Sequence, residues 1–218
     1  MLLLDRPRRG RGRGVKNVFT GLPSRRYKVV LADPPWAYYG QQNKWAAAAK
    51  FYKTLSAEEL STFPMHQLIE EPAVIFLWAT CPQLDTAIHV MKDWGFYYRG
   101  VAFVWVKVSK RGVPWGARGV RPSIVKPVTE LVLVGATVCG GRPLPLASER
   151  VVQTVFAPVG EHSVKPGEVQ ERIEELYPDL PKIELFARNT REGWDCWGDE
   201  VRAVQAGAAR AEEGSRNE

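Results

Sequence analysis

Consecutive apolar residues, in runs separated by helix-like segments, constrain the fold of this 218-residue chain most. Runs without polar–apolar alternation are typical of strands buried on both faces of a mainly parallel sheet. Strands are predicted at residues 27–32, 73–79, 97–108, 129–136, 148–158 and 182–187.

Helix signals lie between several of these runs. Ser56 and Glu59 have capping-box spacing, which predicts a helix from about residue 57. The segment 82–95 starts with Pro and ends with Gly, the usual helix asymmetry. Val169 and Ile173 begin one apolar helix face. The alternation predicts an α/β fold with a mainly parallel twisted sheet, helices on both faces, and ligands at the carboxyl ends of the strands.

Basic residues are concentrated at the start of the chain. Residues 1–28 hold nine Lys or Arg and one acid, so the remainder of this chain of net charge +6 is slightly acidic. We predict a flexible basic arm over 1–26, a globular domain over 27–200 and a flexible tail over 201–218. The arm is expected either to contact nucleic acid or to act as a solubilising tail.

The apolar runs are too short to span a bilayer, and the first ten residues do not resemble a signal peptide. We therefore expect a cytoplasmic protein without membrane contact. The three cysteines are scattered and form no CxxC pair, so neither a disulfide framework nor a metal site is expected. They are Cys81, Cys139 and Cys196.

A rare tetrapeptide, Asp33-Pro34-Pro35-Trp36, follows the strand predicted at 27–32. Asp before Pro is common in turns, which is the structural explanation of Asp33. At average residue usage, however, DPPW should occur by chance in fewer than about one in a thousand chains of this length. Its place at the end of a buried strand favours a functional site.

The motifs "ADPPW", "IFLWAT", "FVWVK", "ELVLVG", "HSVKPGEVQERIEELYP" and "KIELFAR…GWDCWG" occur in this order over residues 27–200. In this the chain resembles the family named for the seventy-kilodalton subunit of the eukaryotic mRNA adenosine methyltransferase. The resemblance implies a Rossmann-like fold, S-adenosylmethionine as cofactor, and a permuted order in which the amine-handling motif precedes the cofactor strand. It also suggests a bacterial or phage-encoded member.

The resemblance implies that the four residues of the tetrapeptide are catalytic. The carboxylate of Asp33 and the carbonyl of Pro34 would each accept an N–H from the target amine and so orient its lone pair. The prolines, including Pro35, hold the turn rigid. Trp36 would stack on the base at about 1–3 kcal/mol. The supporting aromatic candidates are Tyr38 and Tyr39.

The resemblance also implies cofactor contacts beyond Asp33 and Pro34. Lys165 would hold the methionine carboxylate, with Ser163 as a candidate helix cap nearby. Arg188 and Asn189 would contact ribose and adenine. The acids after Gly198 are candidates for ribose hydroxyls. They are Asp199 and Glu200.

The segment 108–128 combines cations with Trp115, which suits either a nucleic-acid contact or a solvated loop. The candidate nucleic-acid contacts here are Lys107, Arg118 and Arg121. The expected activity is methylation of the N6 amine of adenine in DNA. The alternatives are an RNA substrate, a non-catalytic nucleic-acid-binding subunit, and methylation of glutamine or a small amine. A homodimer or a second subunit would fit each nucleic-acid reading.

Overall fold

The computed structural model describes residues 19–37, 54–115, 124–160 and 164–201. Within them a seven-stranded sheet has the order β5-β3-β4-β2-β1-β6-β7. The strands are β1 Tyr27–Ala32, β2 Ile69–Ala79, β3 Tyr97–Val108, β4 Thr129–Ala136, β5 Thr154–Pro158, β6 Lys182–Leu185 and β7 Asp195–Trp197.

Helices cover both faces of the sheet. They are α1 Ala57–Ser61, α2 Leu84–Asp93 and α3 Gly167–Leu176, with 3₁₀ turns at Met65–Gln67 and Cys81–Gln83. Buried residues of α1 and α2 join one apolar cluster, and those of α3 join the cluster on the other face. Ser56 and Glu59 form the predicted capping box, which starts α1.

The direction of β4 decides which residues meet at the edge of the sheet. It pairs antiparallel with β2 and β3, whereas the other pairings among the described strands are parallel. The carboxyl ends of β1, β2, β3 and β6 therefore share an edge with the amino end of β4. The prediction of a mainly parallel sheet with helices on both faces is confirmed.

Some predicted element bounds are wrong. β2 starts four residues before the predicted run, at Ile69, because Tyr27 of β1 pairs with it. β5 starts only at Thr154, the first residue that pairs with β3. β6 ends at Leu185 because the backbone turns at Phe186, where φ is 61°. The three-residue β7 was not predicted.

The predicted arm boundary at residue 26 is corrected by the core. Phe19 is 4% exposed and packs among buried residues. The indole Nε1 of Trp197 donates to the Thr20 carbonyl at 3.1 Å. Val201, assigned to the tail, is 2% exposed. The packed unit thus includes Phe19 and Val201, while 1–18 and 202–218 lie outside the described residues.

Over the part of the chain that the structure describes, no helix combines the length and apolar composition that crossing a membrane requires.

Candidate active site

Four side chains of alternating charge lie along the edge of the sheet. Lys165, which precedes α3, places Nζ 2.8 Å from Oδ2 of Asp33 and 3.4 Å from Oε2 of Glu130. The other Glu130 oxygen accepts a hydrogen bond from Nζ of Lys107 at 2.5 Å. Glu130 reaches this edge because β4 runs against its neighbours. The chain Asp33–Lys165–Glu130–Lys107 therefore balances two carboxylates with two ammonium groups.

The two central groups, Glu130 and Lys165, are held in their charged forms by their neighbours. Burial alone would raise the pKa of Glu130, but Lys165 and Lys107 outweigh it, so that pKa lies below its usual value. Burial would lower the pKa of Lys165, but Asp33 and Glu130 outweigh it and raise that pKa. At neutral pH Glu130 and Lys165 are therefore both charged, as a preorganised electrostatic site requires.

Two buried indoles support the lysines. Nζ of Lys165 lies 5.3 Å from the ring centroid of Trp78, and Nζ of Lys107 lies 4.9 Å from that of Trp105. The two indoles meet edge to face at 6.1 Å. Cation–π contacts of this kind favour a charged ammonium.

Backbone hydrogen bonds hold the tetrapeptide in a tight turn. The N–H of Trp36 donates to the Pro34 carbonyl at 2.8 Å, and the N–H of Leu55 donates to the Pro35 carbonyl at 2.8 Å. A carbonyl has two lone pairs, so the Pro34 oxygen retains one acceptor site. The sequence interpretation of a rigid turn that begins at Asp33 agrees with this geometry.

Trp36 itself is anchored in the protein. Its indole Nε1 donates to the Trp78 carbonyl at 3.1 Å, and the residue is 7% exposed within the core cluster. The structure thus shows the ring packed against protein atoms, and stacking on a base stays a prediction.

A cavity of about 240 Å³ opens beside this edge, between the ends of β1 and β6 and the start of α3. Four predicted cofactor residues line it together: Asp33, Lys165, Arg188 and Asn189. Asp33 is far in sequence from Arg188 and Asn189, and the parallel pairing of β1 with β6 brings these strand ends together.

The cavity also contains residues that the sequence interpretation missed. Glu184 lines it, and Gln170 of α3 donates from Nε2 to Oε2 of Glu184 at 2.5 Å. Burial and the nearby Asp33 raise the pKa of Glu184 to about 7. A signal was present, because Glu184 is the one acid inside the apolar run KIELFA.

An ion pair at the wall of the cavity fixes the loop after β6. Arg191 donates from Nε and Nη2 to the two oxygens of Glu174 at 2.7 and 3.0 Å. Trp194 Nε1 donates to the same carboxylate at 2.6 Å. The hydrogen bond from Arg191 is the main reason that the pKa of Glu174 lies below its usual value. The loop that carries Arg188 and Asn189 is thereby tied to α3.

A residue with a strained backbone, Phe186, sets the direction of the loop after β6. Phe186 has a φ of 61°, which a side chain adopts only at a cost in free energy. Its ring packs 5.7 Å from that of Phe63 and 5.5 Å from that of Trp197, which offsets the cost. The backbone at Ala187 packs closely against Gly198: a Cβ at Gly198 would lie 2.1 Å from the Ala187 oxygen. Trp194 and Trp197 are buried.

Other predicted residues lie elsewhere. Asp199 and Glu200 are exposed and do not line the cavity, and Glu200 lies 3.8 Å from Arg188. The N-cap of α3 is Pro166, and the cap expected from Ser163 stays a prediction because that residue is not described. Five candidates lie outside the described residues: Tyr38, Tyr39, Arg118, Arg121 and Ser163.

The family comparison matches the range that forms this site. A model of the MT-A70 family matches residues 27–200. The chain belongs to the MT-A70 family. The matched range contains the tetrapeptide, all four residues of the ion-pair chain and the residues that line the cavity.

Individual relatives agree with this assignment. The chain is 36% identical over 202 residues to the type II methyltransferase M.MunI of Mycoplasma sp, covering 84% of this chain and 82% of the relative. It is 28% identical over 183 residues to the human N(6)-adenosine-methyltransferase catalytic subunit METTL3, covering 82% of this chain and 29% of the relative. It is 27% identical to human N(6)-adenine-specific methyltransferase METTL4 over 199 residues, covering 82% of this chain and 38% of the relative.

These matches confirm the predicted family, the Rossmann-like methyltransferase fold and the prediction of an adenine methyltransferase. MT-A70 membership implies S-adenosylmethionine as the methyl donor.

Proposed function

We propose that this protein transfers a methyl group from S-adenosylmethionine to the exocyclic N6 amine of adenine in DNA. One observation supports it above all others. Asp33, at the end of β1, forms an ion pair with a lysine 132 positions later in the chain, at the rim of a cavity between strand ends. A carboxylate placed in this way can accept a hydrogen bond from a substrate amine.

DNA is proposed as the substrate because of how the relatives match. The type II methyltransferase is matched over 82% of its length, and at the highest identity of the relatives described above. The chain spans only 29% to 38% of the human relatives METTL3 and METTL4. The basic start of the chain adds a sequence-based argument for a polyanionic substrate.

The residues of the cavity fit the methyl donor. S-adenosylmethionine carries a carboxylate, two cationic groups, ribose hydroxyls and an adenine ring. The cavity offers ammonium and guanidinium donors from Lys165 and Arg188, an amide from Asn189, and carboxylates from Asp33 and Glu184. Lys165 would hold the carboxylate of the donor, and Arg188 and Asn189 its ribose and adenine. When bound, the cofactor supplies an electrophilic methyl group.

The contribution of Asp33 follows from electrostatics. An adenine amine is a weak nucleophile because its lone pair is delocalised into the ring. A charged carboxylate and the free acceptor site of the Pro34 carbonyl would bind its two N–H groups and favour a pyramidal nitrogen. Nζ of Lys165, 2.8 Å from Oδ2 of Asp33, holds this carboxylate in position. The amine becomes acidic only after methylation, when its proton can leave.

Isosteric replacement of Asp33 tests this proposal. Asp33→Asn keeps the size of the side chain but loses its charge, so we expect methyl transfer to fall by at least about a thousandfold. Donor affinity, measured by calorimetry, should change less than tenfold. Exposed Asp85, replaced by Asn, serves as the matched control and should leave transfer unchanged.

The assay uses radiolabelled methyl donor with parallel DNA and RNA pools, followed by nucleoside mass spectrometry. N6-methyladenine in DNA supports the proposal, and label confined to RNA would assign the adenosine substrate of the eukaryotic relatives instead. Unimpaired transfer by Asp33→Asn would contradict the role given to the carboxylate. Absence of transfer by the wild-type protein to either pool would favour a non-catalytic or small-amine function.

A further inference from the structure

Glu184 is an acid of the cavity to which the proposed mechanism assigns no particular group of the donor or the base. It lies in β6 opposite Leu31 of β1, and its three neighbours in the strand are buried. A partly buried carboxylate in such a strand costs free energy unless it is paired. Its side chain nevertheless lines the same cavity as Asp33.

The two carboxylates that line the cavity differ in the charge of their hydrogen-bond partners. Asp33 forms an ion pair with Lys165. Glu184 instead accepts a hydrogen bond from the neutral amide of Gln170, and among the described residues no cation lies within 4.0 Å of it. The cavity thus contains a carboxylate that is positioned but not neutralised.

The amide that holds Glu184 is itself oriented. Oε1 of Gln170 accepts a hydrogen bond from Nη1 of Arg191 at 3.4 Å, and Arg191 is held by Glu174. Because its oxygen accepts from a guanidinium, the amide presents its NH₂ group to Glu184. Gln170 therefore directs a carboxylate oxygen without supplying charge.

Charged groups surround Glu184 on several sides. Burial and Asp33 on β1 raise the pKa of Glu184 to about 7, against the Gln170 hydrogen bond and the charges of Arg191 and Lys165. Arg188 lines the same cavity, and Cys196 on β7 is close enough for its pKa to be raised by Glu184. Glu184 is thus partly protonated at neutral pH, and a cation entering the cavity would favour its ionised form.

We propose that Glu184 is the counter-ion for a cationic group of the methyl donor, either its α-ammonium or its sulfonium, and that it releases a proton when the donor binds. The inference rests on the proposed function, because it assumes that this cavity binds S-adenosylmethionine. When the donor binds, the carboxyl O–H bond of Glu184 breaks, the proton passes to solvent, and the carboxylate pairs with the cation. No covalent bond to the donor forms.

Calorimetric titration of the full chain with S-adenosylmethionine between pH 6 and 8 tests this. The affinity should be about tenfold weaker at pH 6 than at pH 8. Titrations in buffers of different ionisation enthalpy should show about half a proton released at pH 7. Glu184→Gln should remove this release, while any titration of the donor itself remains in both proteins. Exposed Glu171 on α3, replaced by Gln, is the matched control.

A second variant tests the mechanism in the opposite direction. Gln170→Leu removes a hydrogen bond that favours the ionised form of Glu184, so the midpoint of the pH dependence should move upward. This shift does not depend on whether Glu184→Gln folds well.

S-adenosylhomocysteine, which keeps the ammonium but lacks the sulfonium, separates the two cation sources. Equal proton release with both ligands assigns the ammonium to Glu184, and a smaller release with S-adenosylhomocysteine assigns the sulfonium. The same pH dependence in Glu184→Gln as in the wild-type protein would overturn the inference and leave the proposed function standing. Failure of the wild-type protein to bind either ligand at any pH would refute the proposed function itself.

Discussion

Replacing Glu184 by glutamine should stabilise the protein at alkaline pH but much less at acidic pH. The pKa of this carboxyl is about 7 in the folded protein, against a usual value of 4.5. Between these values the folded state binds more protons than the unfolded state, so the wild-type free energy of unfolding falls as pH rises. Ionising this group in the folded state therefore costs about 3 kcal/mol at most.

Glutamine keeps the shape of the side chain and cannot ionise, so the variant escapes this cost. The stability advantage of Glu184→Gln over the wild type should grow by about 2–3 kcal/mol between pH 5 and pH 8. The titration of groups that both proteins share cancels in the difference. The measurement is urea unfolding of both proteins, without ligand, at pH 5, 6, 7 and 8.

An advantage of the variant that does not change with pH would refute the reasoning. It would mean that the carboxyl of Glu184 titrates alike in the folded and unfolded chain, through solvent access or a compensating cation. A growing disadvantage with pH would indicate that the ionised group is stabilised in the ligand-free protein, as the carboxylate of Glu130 is.

Two further predictions concern packing and donor binding. Gly198→Ala should lower the free energy of unfolding, measured in urea, by about 3 kcal/mol or more, because the new Cβ meets backbone atoms of Ala187. The control is Gly140→Ala, whose Cβ meets nothing within 4 Å, and it should change this free energy by less than about 0.5 kcal/mol. An equal effect of the two substitutions would contradict the close-packing argument. Lys165→Met should weaken S-adenosylmethionine binding by about 10- to 100-fold through loss of a charge-assisted contact, whereas exposed Lys92→Met should not, and unchanged calorimetric affinity of Lys165→Met would reject its role.

In the ion-pair chain at the strand ends, Lys165 contacts two carboxylates, those of Asp33 and Glu130. Removal of one member of such a buried set leaves an uncompensated charge, which is costly. Glu130 is a second carboxylate partner of Lys165, at 3.4 Å. The charge of the lysine is therefore shared between Glu130 and Asp33. The carboxylate can then remain available to a substrate amine.

The sequence by itself determined the layered fold and the location of its motif. Apolar runs such as 27–32 and 129–136 became strands at those positions, because burial on both faces requires uninterrupted apolar side chains. The capping box at Ser56 started α1, because that hydrogen bonding is local. The tetrapeptide at Asp33 came directly after β1, where a ligand site is expected in such a sheet.

Only the tertiary structure decided which charges meet. Strand order and direction depend on pairings between distant segments, and no local pattern encodes the reversal of β4 that brings Glu130 to Lys165. Glu184 became a cavity residue because β6 pairs with β1, and its raised pKa depends on burial that exists only in the fold. The short β7 has too few residues to carry a periodicity, so its pairing with β6 had to be seen in three dimensions.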